Sequence, residues 1–361
     1  MLRHSVFVAV VGASVLGLSI GTDSPVQAAD DSLTVVSWGG AYTKSQIEAY
    51  HKPFTEKTGI AVNSVDYNGG LAEVRAQSEA GNVTWDMVDV ELSDAVRGCD
   101  EGLFAQIDPA VLPPGDDGTP AEEDFIDGAV NDCAIGTIVW STVYAYRTDQ
   151  VGSDAPSTIA DFFDLEKFPG KRGLRRSPKV NLEFALMADG VPADQVYDVL
   201  STPEGVDRAF AKLDSIKPEV IWWEAGAQPP QLLADGEVVM TSAYNGRLYS
   251  AIVNEGQPMQ IVWDGQVWDF DLWAILEDAP HKQTALDFLV FSTDTERLAR
   301  QADWISYGPV RRSSMVDVKP DVLPHLPTAP ENFTNALQNN FEFWADNQDE
   351  LNERFNTWIA N

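Results

Sequence analysis

Basic residues are scarce in this chain. Of its 361 residues only 24 are Lys or Arg, against 56 Asp or Glu, so the formal net charge is −32. So acidic a surface repels phosphate backbones, which argues against a nucleic-acid partner, and it disfavours anionic membrane surfaces. Histidine is rarer still. His4, His51, His281 and His325 stand singly, outside any HExxH or Cys/His cluster, so no metal site is indicated. GxSxG, P-loop and GxGxxG motifs are all missing, and no cofactor is expected. Cysteine occurs twice, as Cys99 and Cys133, too few for a thiolate zinc site. Long apolar runs are missing as well. Val6 to Ile20 is apolar or small for only about fifteen residues, and Gly21 to Pro25 breaks it. A membrane span needs about 20.

That short run has a different meaning. Arg3 and His4 precede it and Val26-Gln27-Ala28 follows it, which is the pattern of a secretory signal peptide cut after Ala28. The rest is expected to be exported, soluble and periplasmic, with no membrane insertion. An oxidising compartment favours a Cys99–Cys133 bridge, which would contribute about 3–4 kcal/mol by constraining the unfolded chain.

Hydrophobic residues make up 44% and aromatics 10%, enough for two ordinary domain cores. Short strand-like and helical segments alternate. Leu33 to Ser37 leads into the turn Trp38-Gly39-Gly40, and Ser45 to Lys57 reads as a helix with Pro53 disturbing its register. Ile60 to Tyr67 and Met87 to Val90 read as strands flanking a helix at Leu71 to Glu79. This alternation predicts an α/β fold with a parallel sheet. Ile135 to Tyr146 is longer than one ordinary strand and is expected to cross between two lobes. Gln260–Val262 and Val267–Leu276 read as two strands, and Asn332 to Ala360 as one terminal helix.

Several segments resemble the periplasmic solute-binding proteins of ABC importers, specifically the spermidine/putrescine (polyamine)-binding family. They are Val35-Val36-Ser37-Trp38-Gly39-Gly40-Ala41-Tyr42, Thr84-Trp85-Asp86-Met87-Val88-Asp89-Val90, Val139-Trp140-Ser141-Thr142, Leu232 to Val238 with Tyr244-Asn245-Gly246-Arg247, and Phe270-Asp271-Leu272-Trp273-Ala274. The resemblance implies a two-lobed type II periplasmic-binding-protein fold with a ligand cleft between lobes joined by crossover segments. The first lobe would comprise residues 29–138 with about 265–305, the second about 139–264 with 306–361. It implies a monomeric, non-enzymatic receptor handing a small amine-containing solute to an inner-membrane permease. The alternative function is an exported hydrolase using a carboxylate pair.

By the same resemblance Trp38, Trp140 and Tyr244 supply aromatic walls, Asp271 and Glu91 carboxylates, and Tyr307 a hydroxyl. Two places depart from the family. Near Ser177-Pro178, where the family has acidic residues, this chain has Lys171-Arg172-Gly173-Leu174-Arg175-Arg176. Where the family carries an Asp that takes an ammonium, this chain has Arg247. A guanidinium suits a carboxylate instead. With Asp271 at the other end, the expected ligand is a zwitterion such as 4-aminobutyrate; a plain polyamine, or a quaternary amine such as a betaine caged by Trp38, Trp140 and Tyr244, stays open.

Overall fold

The computed structural model describes residues 32–151 and 154–361; the signal-peptide and cleavage expectations lie outside them. Ten strands form one sheet: β1 Ser32–Ser37, β2 Ala61–Asp66, β3 Met87–Glu91, β4 Ala134–Arg147, β5 Arg172–Arg175, β6 Val220–Trp223, β7 Met240–Tyr244, β8 Met259–Ile275, β9 Gly308–Pro309 and β10 Leu337–Gln338. The order is β2-β1-β3-β8-β4-β7-β5-β6, with β9 on β4 and β10 on β8. β1 pairs parallel with β2 and β3, and β5 pairs parallel with β6 and β7. These two parallel groups flank the antiparallel pair β4 and β8, which runs through both halves.

Two cores result. One gathers Val36, Val88, Ile135, Leu272 and Phe288; the other gathers Tyr144, Leu174, Phe184, Phe210 and Trp344. Both are built on central strands covered on each face, so β3 and nearly all of β4 are buried along their length. The pairing of β4 with β8 slips at Gly136/Ile138 and again at Thr142/Tyr144. Such irregularities bend and twist a ladder, and here they fall where β4 passes from one core to the other. The α/β expectation and the long crossover therefore hold.

Three boundaries differ from expectation. Gln260–Val262 and Val267–Leu276 are one strand of 17 residues, because Gly265 adopts φ 73° and carries the chain on without ending the ladder. Helical backbone begins at Gly40 and continues through a wide π turn, Ile47–His51, to Thr58; Pro53, which has no N–H to give to the preceding turn, directly follows that widening. The terminal helix is Phe341–Ala360, capped by the Asn340 side chain accepting from the Phe343 N–H. Residues 332–336 stay irregular: Asn332 is buried, donating to the carbonyls of Pro324 and Leu326.

Cys99 and Cys133 are bonded, with Cα atoms 5.7 Å apart. The bridge ties the end of helix Leu92–Asp100 to the start of β4. Among the described residues no helix is long and apolar enough to cross a membrane, and no cluster of His, Cys, Asp or Glu is arranged to hold a metal ion.

Candidate functional site

In open parallel sheets the crevice beyond the carboxyl ends of the strands is where ligands sit. Here three such ends converge. Trp38 follows β1, Glu91 ends β3 and Tyr244 ends β7. Trp140 and Asp271 project from β4 and β8 between the two ladder slips, and Tyr307 precedes β9. These six, with Arg247 from the helix Asn245–Tyr249 and Tyr42, line one small cavity. All seven residues singled out from the sequence thus face one space. Tyr42 was missed; it lies one helical turn beyond the Trp-Gly-Gly turn, and only the fold brings it in.

The cavity has an aromatic wall and two charged ends. Trp140 meets Tyr244 edge to face at 5.2 Å between centroids, Tyr42 meets Tyr307 likewise at 5.3 Å, and Trp38 leans on Tyr67 at 4.9 Å. The Arg247 guanidinium is 5.8 Å from the Tyr244 centroid. It donates from Nη1 to the Gly39 carbonyl (2.9 Å) and from Nη2 to the Trp38 carbonyl (3.0 Å), joining the helix after β7 to the turn after β1. Its Nε is buried without a partner. Two glycines make room for it. A Cβ at Gly40 would stand 2.8 Å from Nη1, and one at Gly226 2.8 Å from Nε.

The other end is crowded with carboxylates. Register places Glu91 opposite Asp271 and Asp89 opposite Trp273, so Asp89, Glu91, Asp269 and Asp271 share one face of β3 and β8. Burial pushes the Asp271 carboxyl well above the usual carboxylate range, and the charges of Asp89, Glu91 and Asp269 push it further. Burial likewise raises Asp89 to about 7 and Asp269 to about 8. Glu91 behaves differently. Burial raises it too, but Lys179 and Arg175 outweigh that and hold it below its ordinary value. Lys179 Nζ lies 2.7 Å from Glu91 Oε2, and Arg175 Nη1 3.4 Å from Oε1. Among the described residues no side chain or backbone N–H donates to the Asp271 carboxylate at hydrogen-bond geometry. Asp271 thus has an electrostatic vacancy for a cation and Glu91 has none. Asp89 lay in the Thr84–Val90 motif and Arg175 in the basic run that departs from the family, whereas Lys179 and Asp269 carried no signal in the sequence beyond their charge.

A cavity lined by a guanidinium, two carboxylates and aromatic faces is suited to hold a small charged solute. The model for the bacterial extracellular solute-binding protein family matches residues 49–328. The chain belongs to that family. The gamma-aminobutyric acid-binding protein of Pseudomonas aeruginosa is 46% identical over 347 residues, covering 96% of both chains. Among solved structures, the binding protein MotA of A. tumefaciens B6 in complex with glucopine is 31% identical, with TM-score 0.84 over 91% of this chain and 99% of that one. A GABA receptor is 32% identical, with TM-score 0.79 over 91% and 98%. Likeness to the spermidine/putrescine-binding protein of Streptococcus pneumoniae, 16% identical at TM-score 0.67, is a likeness of fold. The family and these relatives are solute-binding proteins, not enzymes, and this member shares their two-lobed α/β fold.

Proposed function

We propose that this solute-binding protein is the periplasmic receptor of an ABC importer and that its ligand is a short amino acid with separated charges, γ-aminobutyric acid (4-aminobutyrate) first among them. The observation that carries the reading is that one small aromatic cavity is lined both by a guanidinium with an unused Nε and by a carboxylate, Asp271, that no Lys, Arg or His pairs with among the described residues. The ligand carboxylate docks on Arg247 by charge-assisted bonds. Its ammonium docks on Asp271, and the methylene chain lies against Trp38, Trp140, Tyr244 and Tyr307, whose faces also attract a cation. Relatives that bind GABA, at 46% and 32% identity, support this choice.

The receptor acts as a monomer handing its ligand to an inner-membrane permease, after removal of a signal peptide at Ala28. Its lobes are residues 29–138 with about 265–305, and about 139–264 with 306–361. Within the latter, Gly308 to Ser314 packs with the first lobe, because β9 pairs with β4 at Ile138 and Val139 and Arg311 pairs with Asp124.

A thermal-shift and calorimetric panel of GABA, putrescine, spermidine, ordinary α-amino acids and betaines tests the reading. GABA should stabilise the native protein by about 2.7 kcal/mol at a hundredfold excess over Kd, without turnover. Preference for putrescine or spermidine, or product formation from any stabilising compound, overturns it.

A further inference from the structure

Glu91 is the wall between two spaces. On one side is the ligand cavity; on the other is a polar cleft of about 280 Å³ lined by Asn68, Asp94, Arg175, Arg176, Ser177 and Lys179, among others. Lys179 reaches Glu91 from the cleft side. Its Nζ donates to Glu91 Oε2 and to Ser93 Oγ, both at 2.7 Å, and lies 5.8 Å from the centroid of the Trp344 ring. Both partners' side chains are 6% exposed.

The segment that delivers this lysine is tied down at several points. Arg172 is fully buried and donates to the carbonyls of Phe162, Asp164, Phe168 and Gly170. Asn181 Nδ2 donates to the carbonyls of Arg175 and Ser177, each at 2.7 Å. Between these ties, Val180 has φ 72°, the single left-handed non-glycine residue among those described. A β-branched residue there is strained and persists only when its surroundings over-determine it. The strain turns Lys179 inward across the gap between the lobes.

From this placement we propose that Lys179 is a built-in stand-in for a second ligand ammonium, and therefore the residue that makes the site take one ammonium and refuse a diamine. The inference rests on the zwitterion reading above. Glu91 and Asp271 are cross-strand partners and both line the cavity. Were both free, the cavity would have two carboxylates to offer and would favour a dication. With Lys179 and Arg175 bound to Glu91, only Asp271 is free, and the nearby positive charges repel a ligand of net positive charge. Lys179 is thus a specificity residue acting through Glu91.

The test is the ratio of putrescine to GABA affinity, measured by calorimetry on the exported, disulfide-bonded protein. Putrescine differs from GABA by two unit charges at the far end, so removing one cation a few ångströms from the cavity shifts the ratio strongly. Lys179→Met keeps the packing on Trp344 and removes the charge; it should move the ratio towards putrescine by roughly tenfold or more. Glu91→Gln leaves Lys179 unpaired and should weaken both ligands. Lys179→Met combined with Glu91→Gln removes both charges without stranding either, and should return the ratio to within about threefold of wild type. A ratio unmoved in Lys179→Met, or unrestored in the double variant, overturns the proposal. If Lys179→Met does not fold, the comparison of Glu91→Gln with the double variant decides: equal GABA affinity in the two overturns it. Failure of the native protein to bind GABA overturns the zwitterion reading and this inference together, whereas GABA binding with an unmoved ratio overturns this inference alone.

Discussion

Two arginine–aspartate arrangements lie in this molecule, both buried, and they are opposites. Arg311 and Asp124 meet at 2.9 Å with side chains 0% and 1% exposed. Arg311 also donates to the carbonyls of Thr293 and Pro113 and lies 4.2 Å from the Phe125 centroid; Asp124 also accepts from the Ser313 N–H and hydroxyl. Arg247 and Asp271 are as deeply buried, yet each retains unused capacity and they face each other across a cavity instead of touching. A saturated buried pair specifies where segments dock. An unsaturated one carries a desolvation penalty that a ligand of matching charges relieves. The difference between structure and function here is whether the hydrogen-bonding capacity is used up.

The largest effect that would sharpen this contrast is on stability at the saturated pair. Arg311→Ala strands Asp124 and should destabilise the protein by about 3–5 kcal/mol, with GABA preference unaltered in whatever folds, as read by urea titration and calorimetry. Arg247→Ala should do the reverse. Response to carboxylated ligands should fall by roughly 2–5 kcal/mol while the unliganded protein loses little beyond two hydrogen bonds. If Arg247→Ala destabilises the free protein as much as Arg311→Ala does, the contrast fails.

pH separates the two regions next. Carboxyls whose folded values are raised stabilise the protein below about pH 4, their unfolded range, and that stability is lost as pH climbs through the folded values of about 7 for Asp89 and about 8 for Asp269. Unliganded protein should therefore lose stability between pH 5 and pH 8. GABA should stabilise more at pH 8 than at pH 5, since its ammonium needs an ionised Asp271. Melting curves with and without ligand check both signs, and a ligand effect larger at pH 5 refutes the assignment. Smallest should be Asp271→Asn without ligand, which removes one member of a repelling group and should raise stability by on the order of 1 kcal/mol while abolishing the GABA response.

Much of this was legible beforehand, for definite reasons. Periodicity and turn residues located β1, β3 and the crossover β4. The aromatic and charged residues at strand ends carried a resemblance that gathered Trp38, Glu91, Trp140, Tyr244, Arg247, Asp271 and Tyr307. What stayed hidden depends on contacts between distant segments. Glu91 and Asp271 are both plain acids in the sequence; only the approach of Lys179, 88 residues away along the chain, makes one spent and the other free. The two short strands before Leu276 looked separate because a glycine usually punctuates, whereas Gly265 bends a strand that the pairing with β4 and β10 keeps whole. Asn332 to Asn335 looked helical by composition, and the buried Asn332 side chain holds that stretch in an irregular path.

The two ladder slips have a mechanical consequence. Because β4 and β8 pass unbroken from one core to the other, any rotation of the halves is absorbed at Gly136/Ile138 and Thr142/Tyr144, as at paired joints of a lever. Asp271 and Trp140 stand between those joints, at the fulcrum, where the stroke is smallest. Arg247 stands on the helix after β7 and is bonded to the Trp38 and Gly39 carbonyls of the turn after β1, so those two bonds are the ones that a rotation about the slips would have to break.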